Sequence, residues 1–187
     1  MPWKYNSAVI KAGSAWVGKD AVQHPRNWMS WSDEEKKAAG LTWEADPEPY
    51  DNRFYWGRDS DGKLIEKSLV DINEVDSDGK KILDSDGNQI VTKGLKTLHT
   101  EMTKKIANRL LSETDWYVIR KLEKATAIPS DISTFRDAVR TKCATIEKSI
   151  SDAADMAAFQ KLFDVPVNSK GEASGNAPIN DWPDEVS

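Results

Sequence analysis

The tetrapeptide Asp-Ser-Asp-Gly occurs three times in the sequence, and its clustered carboxylates suggest a cation site. The copies are Asp59–Gly62, Asp76–Gly79 and Asp84–Gly87. Carboxylate oxygens are the hard ligands that Ca²⁺ prefers, but an EF-hand loop needs Gly at its sixth position and Glu at its twelfth. If Gly79 is the sixth residue, the twelfth is Ser85, which offers no carboxylate. The repeats therefore predict exposed turns, in which Asp accepts hydrogen bonds from local amides and Gly adopts a positive φ.

Residues for nucleophilic or acid–base catalysis are few. The two histidines, His24 and His99, fall in different predicted elements, and the single cysteine, Cys143, lies on the apolar stripe of a helix, where a thiol usually packs as a small hydrophobe. The sequence has no Gly-x-Ser-x-Gly, phosphate-loop or dinucleotide-glycine motif. A carboxylate pair for glycoside hydrolysis stays open, because 31 acidic residues offer many pairs. We predict no catalytic residue, no metal and no cofactor, and hence a protein that is not an enzyme.

The charge balance argues against nucleic acid and membrane as partners. The chain has 26 basic and 31 acidic residues, a net charge of −5, and its basic residues are interleaved with acidic ones. Binding to phosphate backbones needs a basic stripe that displaces counterions. No stretch approaches the ~20 apolar residues that span a bilayer, and the N-terminus does not resemble a signal peptide. We therefore expect a soluble protein in an intracellular compartment.

Tryptophan is the most informative excess in the composition, with eight residues. Its large area and single donor suit a core, a sugar-stacking surface or a protein–protein hot spot. The tryptophans within predicted elements are expected in the core: Trp43, Trp56 and Trp116. Those in loops or near the termini are candidates for contact with a partner: Trp3, Trp28 and Trp182.

The N-terminal half is predicted to contain β-structure and one short helix. Ser32 and Glu35 form a capping box that begins a helix at 33–39, and Gly40 is placed to end it. Short apolar runs between the Asp-Ser-Asp-Gly turns predict hairpins or a meander within residues 54–92. These elements define a tryptophan-rich, β-containing domain over residues 1–94.

From Leu95 onward the apolar residues recur at helical spacing. The stripes predict helices at about 96–111, 115–125, 131–150 and 152–163, with Ser130 and Ser151 as caps of the last two. The second helix carries the stripe Trp116, Ile119 and Leu122. The sequence thus predicts an α+β fold, with a helical domain over 95–164 and a Gly-, Ser-, Asn- and Pro-rich tail over 165–187.

Two stretches of the chain together carry a family resemblance. The first runs from Pro25-Arg26-Asn27-Trp28 through Ser32–Glu35 to Gly40-Leu41 and Asp51–Tyr55. The second comprises Leu110–Tyr117, with its Thr-Asp-Trp segment, then Arg120, Glu123, Ile128-Pro129 and Phe135–Arg140. Over roughly residues 24–56 and 105–164 the chain resembles the tail-fibre assembly proteins, or tail-fibre chaperones, of tailed bacteriophages.

The resemblance implies a phage protein that binds the tail fibre and assists its folding, trimerisation or attachment, in the host cytoplasm during assembly. The family pattern has no catalytic residue, and Asp115, Trp116, Arg120 and Arg140 are its motif positions with structural roles. An alternative is a structural virion component of the tail or fibre tip, an adhesin that stays in the particle and meets host surface glycan. The predicted partner-binding residues are Trp3, Trp28, Trp31, Trp116, Arg120, Arg140 and Trp182.

Overall fold

The computed structural model describes residues 3–185. These fall into two compact units, unit 1 up to Tyr50 and unit 2 from Asp51 onward. The fold is α+β, as predicted, with short strands towards the N-terminus and long helices towards the C-terminus. The division at residue 50 differs from the boundary predicted at residue 94. The reason is that Phe54 is buried in the same apolar cluster as Leu95 and Phe159, so residues before the first long helix complete the helical core.

Unit 1 is built from short strands around tryptophan. Its elements are β1 (Trp3–Tyr5), β2 (Ala8–Val9), β3 (Trp16–Val17), β4 (Gln23–His24), α1 (Asp33–Ala38) and β5 (Thr42–Trp43). Strands β2, β1 and β5 form an antiparallel sheet in that order, and β3 pairs with β4. The capping box at α1 is confirmed, since the Ser32 hydroxyl accepts from the Glu35 amide and the Glu35 carboxylate accepts from the Ser32 amide.

The core of unit 1 consists of Trp3, Trp16, Trp28 and Leu41, all of which are buried. The indole Nε1 of Trp28 donates to the carbonyl oxygen of Ser14 at 3.0 Å, which satisfies its polar atom inside the core. With strands of only two or three residues, the unit has little backbone pairing. Large aromatic side chains therefore supply most of its buried apolar area.

The strands of unit 2 are joined by the predicted turns. Strand β6 (Tyr55–Arg58) pairs with β7 (Leu64–Glu66), and β8 (Ile72–Asn73) pairs with β9 (Val91–Thr92), both antiparallel. In each Asp-Ser-Asp-Gly turn the first Asp accepts two backbone amides and the Gly adopts φ of about +80°. A fourth turn with the same bonds, unpredicted, lies at residues 168–172, where Asn168 replaces the first Asp.

Four helices complete unit 2: α2 (Leu95–Ser112), α3 (Asp115–Lys124), α4 (Ser130–Asp152) and α5 (Met156–Gln160). The last is shorter than predicted and continues as a 3₁₀ turn at Lys161–Phe163. Two predicted caps are wrong. Ser151 lies inside α4, and the extended Asp155 caps α5 by accepting the amide of Ala158 at 2.8 Å. Ser130 is the first residue of α4, because the extended Pro129 occupies the cap position.

Helices α2 and α4 pack together over two apolar clusters. The larger comprises Phe54, Leu95, Ile146, Ile150, Ala153, Met156, Phe159 and Ile179. The smaller comprises Ala107, Leu110, Phe135 and Val139. Trp182 packs against both, and Ile179 belongs to the larger one. The segment predicted as a separate tail therefore contributes to the core of unit 2. The structure describes this segment up to residue 185.

Over residues 3–185, the helices are all too short or too polar to cross a lipid bilayer.

Candidate partner-binding surface

Helix α3 has an apolar stripe that no other element covers. None of its ten residues, all described by the structure, is buried. The exposed fractions are 49% for Trp116, 55% for Ile119 and 81% for Leu122, and their spacing of three residues puts them along one side of the helix. Contiguous exposed apolar residues of this kind mark interaction surfaces. We refer to Trp116, Ile119 and Leu122 as the α3 face.

A buried arginine holds α3 in position. Arg136 of α4 donates from Nη1 to the carbonyl oxygen of Leu111 at 2.8 Å and to the Thr114 hydroxyl at 2.7 Å. Its Nη2 lies 2.9 Å from a carboxylate oxygen of Asp115. The guanidinium thus bonds the C-terminal end of α2, the connecting residue and the first residue of α3. Since a ten-residue helix is marginal on its own, these bonds explain how α3 forms without burying its stripe.

Three side chains of α3 form a stack beside the α3 face. The rings of Trp116 and Tyr117 have centroids 3.7 Å apart. The guanidinium carbon of Arg120 lies 4.7 Å from the Trp116 ring and 5.2 Å from the Tyr117 ring. Such cation–π contacts stabilise by roughly 0.5–1 kcal/mol at exposed positions. The stack restricts the rotamers of Trp116 and Arg120, so both enter a complex with less conformational entropy to lose.

A cleft of about 230 Å³ adjoins the stack. It lies between the start of α3 and the start of α4, and Trp116, Tyr117, Ile132 and Phe135 supply its apolar walls. Glu113 and Glu185 also line the cleft and make its lining acidic. A partner side chain with an apolar stem and a basic end would match this combination of apolar and acidic groups.

The structure brings together only two of the predicted partner-binding residues, Trp116 and Arg120. The prediction for Trp3 and Trp28 is wrong, because both are buried in the core of unit 1. Trp182 is half-buried and packs on both clusters of unit 2, so its role is to hold the C-terminal segment. Trp31 is half-buried at the edge of the unit 1 core and remains a candidate.

Arg140 lies elsewhere on α4 and forms an ion pair with Asp137, one turn away on the same helix. Its Nη1 lies 3.2 Å from a carboxylate oxygen of Asp137. Both side chains are more than half exposed, and such pairs contribute about 0–1 kcal/mol. The residue with a buried network is Arg136, four positions earlier, which the sequence reasoning missed. A signal was present: Arg136 follows Ile132 by four residues and precedes Val139 by three, so it lies on the stripe of α4 that faces the core.

The prediction of a core position for three tryptophans is wrong. Trp116 is on the α3 face, and Trp43 is about half exposed on the edge strand β5. Trp56 is 68% exposed and lies under the ammonium of Lys67, with 4.6 Å between that nitrogen and the ring centre. In β6 the pairing register shifts between Tyr55 and Gly57, and Tyr55 packs against the core of unit 2 while Trp56 does not.

Burial changes the pKa of two side chains of unit 2, His99 and Cys143. Burial against Phe159 and Phe163 lowers the pKa of His99, and the positive charge of Arg53 lowers it further. Burial, with a hydrogen bond to Glu147, raises the pKa of the Cys143 thiol to about 11. The described part of the chain holds no group of three His, Cys, Asp or Glu side chains arranged for a metal ion.

No protein-family model, curated protein or solved structure matches this chain. The similarity to tail-fibre assembly proteins therefore stays a resemblance between sequences. The α3 face, with the buried Arg136 network beneath it, is the feature of the described residues that bears most directly on function.

Proposed function

We propose that this chain is a phage tail-fibre assembly protein that binds the tail fibre through the α3 face and assists its folding, trimerisation or attachment. The observation that carries the proposal is an amphipathic helix with no buried residue, in the segment where the sequence resembles that family. It acts in the host cytoplasm during phage assembly. The proposal includes no catalytic step and no cofactor.

The physical basis is the exposure of apolar groups on both partners. A fibre chain that has not yet trimerised exposes strand edges and apolar side chains and is prone to aggregate. A large apolar side chain contributes roughly 1.5–3 kcal/mol when it is fully buried. Trp116 and Ile119 are about half exposed and Leu122 is mostly exposed, so the first two offer about half of that value and Leu122 offers most of it. Affinity of this order suits a factor that covers the fibre chain and then releases it.

The test is co-expression of the full-length chain with the fibre protein of the same phage. We expect wild-type chain to raise the yield of soluble fibre trimer and to co-purify with the fibre protein. Leu122→Glu places a charge at the most exposed position of the α3 face and should abolish both effects. Val22→Glu, at an exposed valine of unit 1, is the matched control and should leave both unchanged. Equal behaviour of the two variants would contradict the proposed surface.

A second candidate is a resident adhesin of the tail or fibre tip, and the exposed indole of Trp56 favours it. Exposed aromatic faces stack on sugar rings. Lys67 covers one face of the Trp56 ring, and the other face is available for such contact. Host surface polysaccharide should then quench tryptophan fluorescence in the wild type and much less in Trp56→Leu. An unchanged spectrum with folded protein would refute sugar binding at this residue.

Quantitative mass spectrometry of purified virions separates the two candidates. An assembly factor should be absent from finished particles, or present at far less than one copy per fibre. A resident component should be present at a fixed ratio to a tail protein. Detection at such a ratio would replace the assembly factor with the structural component as the function of this chain.

A further inference from the structure

Residues 72–92 form a closed triangle of three extended segments, 72–76, 80–84 and 88–92, which we call the triangular module. The segments bond in a cycle. The amide of Glu74 donates to the carbonyl of Ile90 at 2.9 Å, that of Ile90 to Ile82 at 2.9 Å, and that of Ile82 to Glu74 at 3.0 Å. Each segment therefore pairs with both of the others, with one through its first half and with the other through its second half.

The cycle follows an eight-residue repeat in the sequence. The bridges Val75↔Lys81 and Leu83↔Gln89 become equivalent when the chain is advanced by eight residues. A further step of eight leads from Leu83 to Val91. The partner of Val91 is Asn73, in the first segment, and this pair closes the triangle between β8 and β9. Two of the corners are the Asp-Ser-Asp-Gly turns, and the third is where the chain enters and leaves. The module consequently has pseudo-threefold symmetry within a single chain.

The repeat places three equivalent apolar side chains on one side of the triangle. Their exposed fractions are nearly equal, at 51% for Val75, 52% for Leu83 and 42% for Val91. Neighbouring residues of an extended chain point to opposite sides, so these three diverge from Glu74, Ile82 and Ile90. Within residues 72–92, all of which the structure describes, no side chain is buried. The apolar residues of the module therefore do not serve a core of its own.

The rim of the triangular module is acidic. Between residues 72 and 92 there are five carboxylates and two lysines, and the carboxylates of Asp76, Asp78, Asp84 and Asp86 lie at the exposed turns. A partner that covers the module thus needs apolar groups near the centre and basic groups at the edge.

The module is fixed rigidly to the helical core. The amide of Gly94 donates to a carboxylate oxygen of Asp71 at 2.8 Å, and the amide of Leu95 donates to the carbonyl of Ser68 at 2.9 Å. A Cβ added at Gly94 would lie only 2.5 Å from the carbonyl oxygen of Val70. Glycine therefore permits the close approach that positions the module at the start of α2.

We propose that the triangular module docks on the threefold axis at the end of a homotrimer, so that one copy of this chain binds three identical chains. Three equivalent apolar residues around a pseudo-threefold axis offer the same contact to each chain of a trimer. The inference rests on the proposed function, in which that trimer is the fibre. It adds a second docking face, distinct from the α3 face, and the stoichiometry.

A second copy of this chain fits the face poorly. Two modules face to face would bring their acidic rims together, and like charges in contact oppose binding. A trimer end with basic groups around its axis would instead contact the apolar centre and the rim at once.

The experiment uses the full chain and the folded fibre protein of the same phage. Native mass spectrometry should give one copy of this chain for each three fibre chains. Val75→Asp and Leu83→Asp should each weaken binding by about tenfold or more, and by similar factors, because the two positions are equivalent. Val167→Asp, at an exposed valine outside the module, is the matched control and should leave the affinity unchanged. Raising the salt concentration should weaken wild-type binding.

Failure of this inference is distinguishable from failure of the proposed function. A complex with one fibre chain per copy, or a one-to-three complex that both Asp variants leave intact, would overturn axial docking while the fibre-binding function stands. A dimer of this chain alone that Leu83→Asp dissociates would mean that a second copy occupies the face, which also overturns it. Absence of any complex between wild-type chain and fibre would overturn both. Circular dichroism of each variant verifies that it is folded.

Discussion

Replacing Arg136 by alanine tests whether the buried network beneath α3 stabilises unit 2. The substitution removes two buried hydrogen bonds, to the Leu111 carbonyl and the Thr114 hydroxyl, and one ion pair with Asp115. Hydrogen bonds from a charged group contribute roughly 1.5–3 kcal/mol each. The Asp115 carboxylate is about half exposed, so its pair adds no more than about 1 kcal/mol.

The two acceptors reduce the loss, because each keeps another bond. The Leu111 carbonyl also accepts from the amide and the hydroxyl of Thr114, so Arg136→Ala leaves neither buried oxygen without a partner. Removing the buried guanidinium also ends the cost of its desolvation. We therefore expect the free energy of unfolding to fall by about 2–4 kcal/mol, which is less than the two hydrogen bonds and the ion pair would contribute if their energies simply added.

The measurement is urea unfolding followed by the far-ultraviolet helix signal. This signal reports mainly on unit 2, because unit 1 contains one six-residue helix among its described residues. Arg140→Ala is the matched control, since Arg140 lies on the same helix and makes only an exposed pair. It should change the free energy of unfolding by less than about 1 kcal/mol. Equal values for the two variants would refute the reasoning, because burial would then not distinguish the two arginines.

Three further predictions concern the core, the module and the thiol. Phe135→Ala should lower the free energy of unfolding by about 3–5 kcal/mol, since Phe135 is buried in the smaller cluster; an unchanged melting temperature would contradict this. Gly94→Ala should destabilise unit 2 in the same urea assay, whereas Gly175→Ala, where an added Cβ meets open space, should be nearly neutral. Cys143 should react slowly with iodoacetamide at pH 8, because only the thiolate reacts and the pKa of this thiol is about 11. The reaction should become faster as the pH rises towards that pKa, or when the chain is unfolded. Rapid labelling of the folded protein at pH 8 would contradict the burial of the thiol.

Local sequence signals predicted most of the secondary structure. The apolar spacing after Leu95 fixed the positions of α2, α3 and α4 to within one or two residues, because a helix repeats its faces every 3.6 residues. The capping box and the three Asp-Ser-Asp-Gly turns were also recognisable, since every bond in them joins residues within four positions. The turn at residues 168–172 escaped because Asn and Lys replace its two Asp residues, although the hydrogen bonds are the same.

What packs against each face of a helix or strand depends on residues far apart in the chain, and only the tertiary structure decided it. Trp28 was expected at the surface and is buried, while Trp56 was expected in the core and is exposed, because burial follows from which parts of the chain pack together. The apolar spacing of α3 is like that of α4, yet no residue of α3 is buried. The triangular module shows the same division: its turns are local, but its closure joins Glu74 to Ile90 across sixteen residues. Periodicity specifies which side chains share a face, whereas the free energy of packing between distant segments determines whether that face becomes core or surface.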